Sequence, residues 1–238
     1  MIVAQAIAGP GEAVRARTVL GVDVAAGRWV AVRLEDGSFA ADDLDARLGT
    51  LLARHADARV IGIDVPIGLP ELGVPRPCDL AARARLGARR SSVFLAPAEE
   101  LLRMGSHAEA TARSTRATGK GISIQAYGLR GAILEAAPLA AADPRLHEVH
   151  PELAFLRAAG GTALPGSKRS WDGQHARRAV LRGVGVEVPD RLGRAGGVPV
   201  DDVLDAAIAA WAADNVTRGV GRPLPEGAAP GAHGVIWT

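Results

Sequence analysis

Two hexapeptides set the first constraint on the fold. VLGVDV at 19–24 and VIGIDV at 60–65 differ only by conservative changes. Each reads as a buried, apolar and β-branched strand, and each carries an acid, Asp23 or Asp64, near its end. An ionised carboxylate in that setting costs several kcal/mol unless something compensates it. What the chain offers as compensation is therefore the first functional question.

The elements between the hexapeptides say where the two acids lie. Residues 18–24 and 28–34 read as strands joined by the short link AAG, a hairpin signal, and after the turn dipeptide Asp36-Gly37 a weak third strand is expected near Ser38–Ala40. DDLDARLGTLLARHA then repeats Leu44, Leu48, Leu51 and Leu52 at helical spacing, with acids in the first turn and Arg54 and His55 in the last, so a helix is expected across it. The first three strands make an antiparallel meander, and the helix is a crossover that returns VIGIDV parallel to VLGVDV. Asp23 and Asp64 become neighbours at strand carboxyl ends, where open α/β sheets place ligands. Pro66 closes the second strand by removing a backbone donor.

Residues 66–140 read as a mostly helical insertion over that end of the sheet. It comprises a Pro-rich loop, a helix from about Asp79 to Leu86, the run ARRSSVF, a helical stretch around 98–118, and TGKGIS leading into another helix. LHEVHPE at 146–152 is expected to be a strand with Glu148 and His150 on one face, followed by a short helix near 153–159. One helix is expected near 173–182 and a strong one over VDDVLDAAIAAWAADNV, with 218–238 mostly irregular. MIVAQAIAG lacks a basic leader and is short for a signal peptide, so 1–17 is expected to be a loose tail before a single domain at 18–238.

The carboxylates form a set. Asp202 and Asp205 are three residues apart on the last strong helix, so both leave one face near its start. A plain alternative has Asp201 capping the helix while its neighbours suit the dipole. For Asp23 and Asp64 the plain account, a satisfied structural acid, is the weaker one, since neither begins a helix and each interrupts an apolar strand. One carboxylate from each of two adjacent strands and a pair from a late helix suit a hard divalent cation, Mg²⁺ or Mn²⁺. Two such ions, roughly 3.5 to 4 Å apart, activate a water and stabilise the leaving oxygen in a displacement at phosphorus. Glu148 is a further acid, open to three roles: metal ligand, partner of His150, or pair for a nearby arginine.

Net charge is only +2, so attraction to phosphates must come from local clusters. Arg83, Arg85, Arg89 and Arg90 lead into Ser91 and Ser92, a set of guanidinium and hydroxyl donors suited to phosphate, although a solvated helix face explains the same run. The chain has 26 arginines and two lysines, and Lys120 in TGKGIS and Lys168 in PGSKRS both lie in polar loops containing glycine. A compact ammonium is not interchangeable with Arg at a point contact, though chance retention of two codons is the plain alternative. TGKGIS lacks the Walker pattern, and only eight Phe, Tyr and Trp residues give no evident base-stacking platform. Cys78 is the sole cysteine, so no internal disulfide forms, and no apolar run nears the ~18 residues of a membrane helix. A cytoplasmic protein with no membrane partner is expected.

The strand order, the acid within GVDVAAGRWVAV, the second acid ending strand four, and DVLDAAIAA on the last helix resemble the RNase H-like superfamily, RuvC-type resolvases especially. More closely, GVDVAAGRWVAV, IDVPIGLPE, RRSSVF, GKGISIQA, EVHPE, SKR and DDVLDA resemble the domain-of-unknown-function 429 family, whose members are labelled predicted RNase H-like nucleases. The resemblance runs from about 18 to 215. It implies an α/β fold, an RNase H-like mixed sheet flanked by helices. It further implies a metal-dependent nuclease with Asp23, Asp64, Asp202 and Asp205 as ligands. Glu148, which has no firm counterpart in the superfamily, is an added catalytic candidate, and the basic loops offer Arg89, Arg90, Ser91, Ser92, Lys120 and Lys168 as contacts to the phosphates of DNA or RNA. RuvC-type enzymes usually carry Glu where this chain has Asp64, one methylene longer. The alternatives are an ATP-dependent phosphotransferase of the actin and sugar-kinase type, whose Gly and Ser/Thr-rich phosphate turn is here AAGRW, and a non-catalytic nucleic-acid-binding or regulatory protein. Oligomeric state stays open, a homodimer included.

Overall fold

A computed structural model of the chain describes residues 16–228 and 234–238. The meander forms as expected: β1 (Thr18–Ala25) pairs antiparallel with β2 (Arg28–Glu35), and β2 with β3 (Ser38–Asp45). Helix α1 (Leu48–Arg54) crosses over and β4 (Val60–Ile63) returns parallel to β1, pairing Val22 with Ile63. The ladder continues one residue further through the Asp64 amide, which donates to the Val22 carbonyl at 2.9 Å. Beyond β4 lie α2 (Pro77–Leu86), a 3-10 turn at Gly87–Ser92, α3 (Glu99–Leu102), α4 (His107–Thr118), α5 (Ile124–Gly128) and α6 (Arg130–Ala142). Then follow β5 (Leu146–Val149), α7 (Pro151–Ala158), α8 (Trp171–Gly183), α9 (Val200–Thr217), β6 (Pro223–Leu224) and β7 (Ile236–Trp237). Among the described residues the sheet has seven strands in the order β3-β2-β1-β4-β5-β7-β6, mixed parallel and antiparallel and flanked by helices.

Side chains alternate across this sheet. Val19, Ala25 and Val60 pack with α7, α8 and α9, whereas Leu20, Val22, Ile61, Ile63 and Leu146 pack with α1 and α6. Gly21, Asp23, Gly62 and Asp64 fall on the α9 face. The glycines bring that helix down: a Cβ on Gly21 would lie 2.0 Å from the Ala206 carbonyl oxygen, and one on Gly62 would lie 2.5 Å from that of Ala209. With Ala206, Ala207, Ala209 and Ala210 on α9, backbone meets backbone. Each hexapeptide thus carries a seat for α9 and, two residues on, an acid on the same face.

Several expectations are corrected. The third strand reaches Asp45, and the helix starts only at Leu48. The acids read as its first turn serve other ends: Asp42 accepts from the Gly193 and Ala195 amides, both at 2.7 Å, while Asp43 pairs with Arg54 at 2.8 Å. The helical stretch near 98–118 splits in two, because Ser106 and Glu109 form a capping box that starts α4 afresh. Strand β5 stops at Val149, since Pro151 opens α7. Pro199, not Asp201, is the N-cap of α9. The tail after 218 is largely irregular but adds β6 and β7, the latter parallel to β5. Of the expected loose tail, residues 1–15 lie outside the described residues, while Arg17 donates to Asp214 at 2.6 Å. Among the described residues no helix is long and apolar enough to cross a membrane.

Candidate metal centre

At the carboxyl end of β1 and β4, carboxylate oxygens of Asp23, Asp64 and Asp205 all lie within 4.8 Å of one another. The strands supply two of these acids side by side, and the glycine seats bring α9 close enough to add the third. Asp23 and Asp205 are buried, and Asp64 is half-buried. Asp23 Oδ1 accepts from the Val24 amide at 2.6 Å. Asp205 Oδ2 accepts from Lys168 Nζ at 2.6 Å, but its Oδ1 is buried with no hydrogen-bond partner among the described residues. Asp202, half-buried one turn earlier on α9, lines the same cavity and lies outside the tight trio.

The electrostatics follow from burial and crowding. Burial first, then Asp64 and Asp205, raise Asp23 well above the carboxylate range, and burial with Asp205 does the same to Asp64. Asp205 rises to about 6, again chiefly by burial, with Lys168 opposing. Asp202 rises through burial and its neighbour Asp201. For Lys168, burial disfavours the charge, yet Asp205, Asp23 and Asp64 outweigh it and the ammonium is held protonated. Such a cluster is costly as it stands, and an oxygen donor set with one buried oxygen unpartnered is what a hard divalent cation would complete. The residues present therefore fit the ion that the resemblance implies.

The trio lies in a cavity of about 790 Å³. Ser91, Ser92, Arg89, His150, Lys168 and Arg169 line it, with the Arg169 side chain 84% exposed at the rim. Other expected residues sit differently. Arg90 lines a separate depression beside Leu80 and Arg83, and Lys120 lines a second cavity between α2 and α4. Arg89 is committed inside the protein: it donates to Glu152 at 2.9 Å, to the Leu164 carbonyl and to the Gly166 carbonyl at 3.2 Å. His150 Nε2 lies 3.3 Å from the Ser92 carbonyl oxygen, and burial lowers its pKa.

Glu148 is not part of the trio. In register with Ile63, it leaves the sheet on the α1 and α6 face. Of its three open roles the structure supplies the arginine pair: Arg76 Nη1 and Nη2 donate to its two oxygens, both at 2.7 Å, and the Ile67 amide donates at 2.7 Å. Arg76 also holds Asp79, whose Oδ2 accepts from the Ala96 amide at 2.8 Å. On the α9 side, fully buried Arg177 pairs with Glu152, and its Nε has no partner among the described residues. Sequence reading passed over Arg76, Asp79, Glu152 and Arg177. The one available signal was EVHPE, which puts two acids, Glu148 and Glu152, around a buried strand end.

A family model described as "Protein of unknown function (DUF429)" matches residues 21–229. No curated protein matches the chain. Among solved structures, a Thermus thermophilus RuvC structure is similar at a TM-score of 0.37 and 10% sequence identity, over 85% of this chain and 97% of that one.

Proposed function

The chain belongs to the DUF429 family, and from that premise and its site we propose that it is a metal-dependent nuclease, hydrolysing phosphodiester bonds of nucleic acid. The observation that carries the reading is the buried trio Asp23, Asp64 and Asp205 with one oxygen of Asp205 unpartnered. Magnesium or manganese held there would supply a water activated as nucleophile and stabilisation of the leaving oxygen. The four-ligand, two-ion form expected from the acids draws on Asp202 as well. Asp23 and Asp64 hold their carboxylates on rigid strand ends, and α9 presents Asp205 from above. That rigidity lowers the cost of organising the site when substrate arrives.

The cavity wall supports a phosphate-bearing substrate. Arg169 at the rim offers a charged donor, and Ser91 and Ser92 add small polar groups beside it. Arg89 clamps the loop that carries Lys168 and Arg169, so its guanidinium serves the substrate through that loop. Lys120 and Arg90 lie outside this cavity, and a long nucleic acid crossing the surface would be needed to join them to it. The phosphotransferase alternative is disfavoured by the link between β1 and β2, a tight turn of Ala26 and Gly27, which leaves no loop to cradle a nucleotide phosphate.

The test is cleavage of duplex, single-stranded, hybrid and branched oligonucleotides with Mg²⁺ or Mn²⁺, beside Asp64→Asn. Cleavage of at least one substrate is expected, abolished by chelator and reduced by Asp64→Asn at least ~100-fold, in line with loss of a charge-stabilising group. No cleavage of any substrate, together with no metal uptake by calorimetry, overturns the reading.

A further inference from the structure

Lys168 lies where a phosphate-binding lysine would be of little use. Its ammonium donates to Asp205 at 2.6 Å and sits 4.0 Å from Asp201, so its charge is already engaged by the acids. It belongs to no flexible arm. Ser170, the N-cap of α8, accepts from the Gly173 amide and donates to the Ser167 carbonyl at 2.8 Å. Gly173 is packed so closely that a Cβ there would meet the Ser167 carbonyl oxygen at 1.8 Å. From the other side Arg89 grips the carbonyls of Leu164 and Gly166. The loop 164–170 is thus pinned at both ends, and the lysine it carries is delivered to Asp205.

Charge balance then limits what else the site takes. Three clustered carboxylates against one ammonium leave two negative charges, which a single divalent ion neutralises. A second divalent ion would leave a buried excess of positive charge, with an ammonium close by, and such an excess is strongly disfavoured away from water. The neighbouring acids do not reverse this while the ammonium is present: Asp201 already has Arg169 at 3.5 Å, and counting Asp202 on the cavity wall still leaves two ions and an ammonium one charge in excess, whereas without the ammonium two ions and four carboxylates balance.

We propose that the Lys168 ammonium occupies one of two cation positions at this site, so that the chain binds one divalent ion and uses the lysine in place of the second. The inference rests on the metal-dependent reading and narrows its two-ion form. Lys168 holds the Asp205 carboxylate in place and supplies the cluster with a fixed positive charge, while Asp23, Asp64 and the free oxygen of Asp205 would hold the ion. It accounts for why one of only two lysines in an arginine-rich chain stands here: a compact ammonium fits a position sized for an ion, and a planar guanidinium does not.

The test is manganese titration of the full chain, by calorimetry for stoichiometry and by electron paramagnetic resonance for spin coupling between neighbouring ions. Wild type is expected to take one ion, without coupling. Lys168→Met, with Lys168→Gln as a second variant and circular dichroism to verify folding, is expected to take two, with a coupled spectrum. Two ions in the wild type, or a single ion in both folded variants, overturns the proposal while leaving the metal-dependent reading intact. No uptake by any of the three chains sinks that reading and this proposal together.

Discussion

Two acidic clusters stand at the carboxyl end of one sheet, and in each of them three groups lie close enough together to hold a cation. Glu148 and Asp79, with Cys78 beside them, surround the Arg76 guanidinium, which donates to both oxygens of each carboxylate, and the Ile67 and Ala96 amides each donate to one of those oxygens as well. Burial pushes the Cys78 thiol up to about 12, so it stays neutral and a poor ligand. Asp23, Asp64 and Asp205 share one ammonium and leave an oxygen bare. Proximity of acids therefore does not by itself mark a metal site. The distinguishing quantity is uncompensated charge: the first cluster brings its own cation and is closed, while the second is short of positive charge.

The largest expected effect comes from opening the closed cluster. Arg76→Ala leaves two buried carboxylates without a counter-charge, and loss of about 3–5 kcal/mol is expected, read by urea denaturation. A loss below ~1 kcal/mol would mean that water or another cation reaches Glu148, and the contrast between the clusters would fail. Metal uptake by whatever fraction of the variant remains folded should be unchanged, since Asp23, Asp64 and Asp205 make no ion pair with Arg76.

A second test follows from the sign of the Asp205 shift. Without metal, folded Asp205 titrates near 6, above an ordinary aspartate, so the folded chain binds this proton more tightly than the unfolded one. Its contribution to stability is full below the unfolded value and is lost as pH rises towards about 6. Metal needs the deprotonated form, so the stabilisation it confers must grow across the same window. Thermal melts with and without Mn²⁺ should show a small rise at pH 5 and a larger one at pH 7. At a hundredfold excess over Kd the gain is about 2.7 kcal/mol. Asp205→Asn should remove the rise at both pH values without lowering metal-free stability. An equal rise at both would place the ion on groups of ordinary acidity, away from the trio.

The same contrast shows what a sequence reveals. The order of the first four strands and the pairing of Asp23 with Asp64 are legible because strand period, turn residues and a crossover helix are local signals, read within about the first fifty residues of the domain. The glycines two residues before each acid were equally visible in VLGVDV and VIGIDV, yet their meaning depends on a helix at 200–217 that seats on them. Arg76 was opaque for a stronger reason. A buried arginine has the same letter as an exposed one, and its burial is decided by Glu148, 72 residues away. Lys168 was noticed as an unusual residue in a polar loop, but its partner 37 residues on turns it inward. The misplaced start of α1 has another origin: acids suit a helix first turn and a strand edge alike, and only Gly193, Ala195 and Arg54 decide between them.

Asp202 gives the smallest and most discriminating test. It lies three residues before Asp205 on the same helix face, but it is half-buried and outside the trio, and around it Asp201 opposes Lys168 and Arg169. If the ion is held by Asp23, Asp64 and Asp205, Asp202 acts only through its charge at longer range, partly screened by solvent. Asp202→Asn should then weaken Mn²⁺ binding by roughly two- to tenfold, no more than about 1.4 kcal/mol, against at least ~100-fold for Asp205→Asn. Calorimetry on the two variants side by side reads the difference directly. Equal losses would make Asp202 a ligand in its own right and extend the uncompensated cluster by one acid, to three net negative charges beside Lys168, which lowers the barrier to a second ion. A small loss keeps the trio as the whole of the open cluster, with Lys168 as its remaining cation.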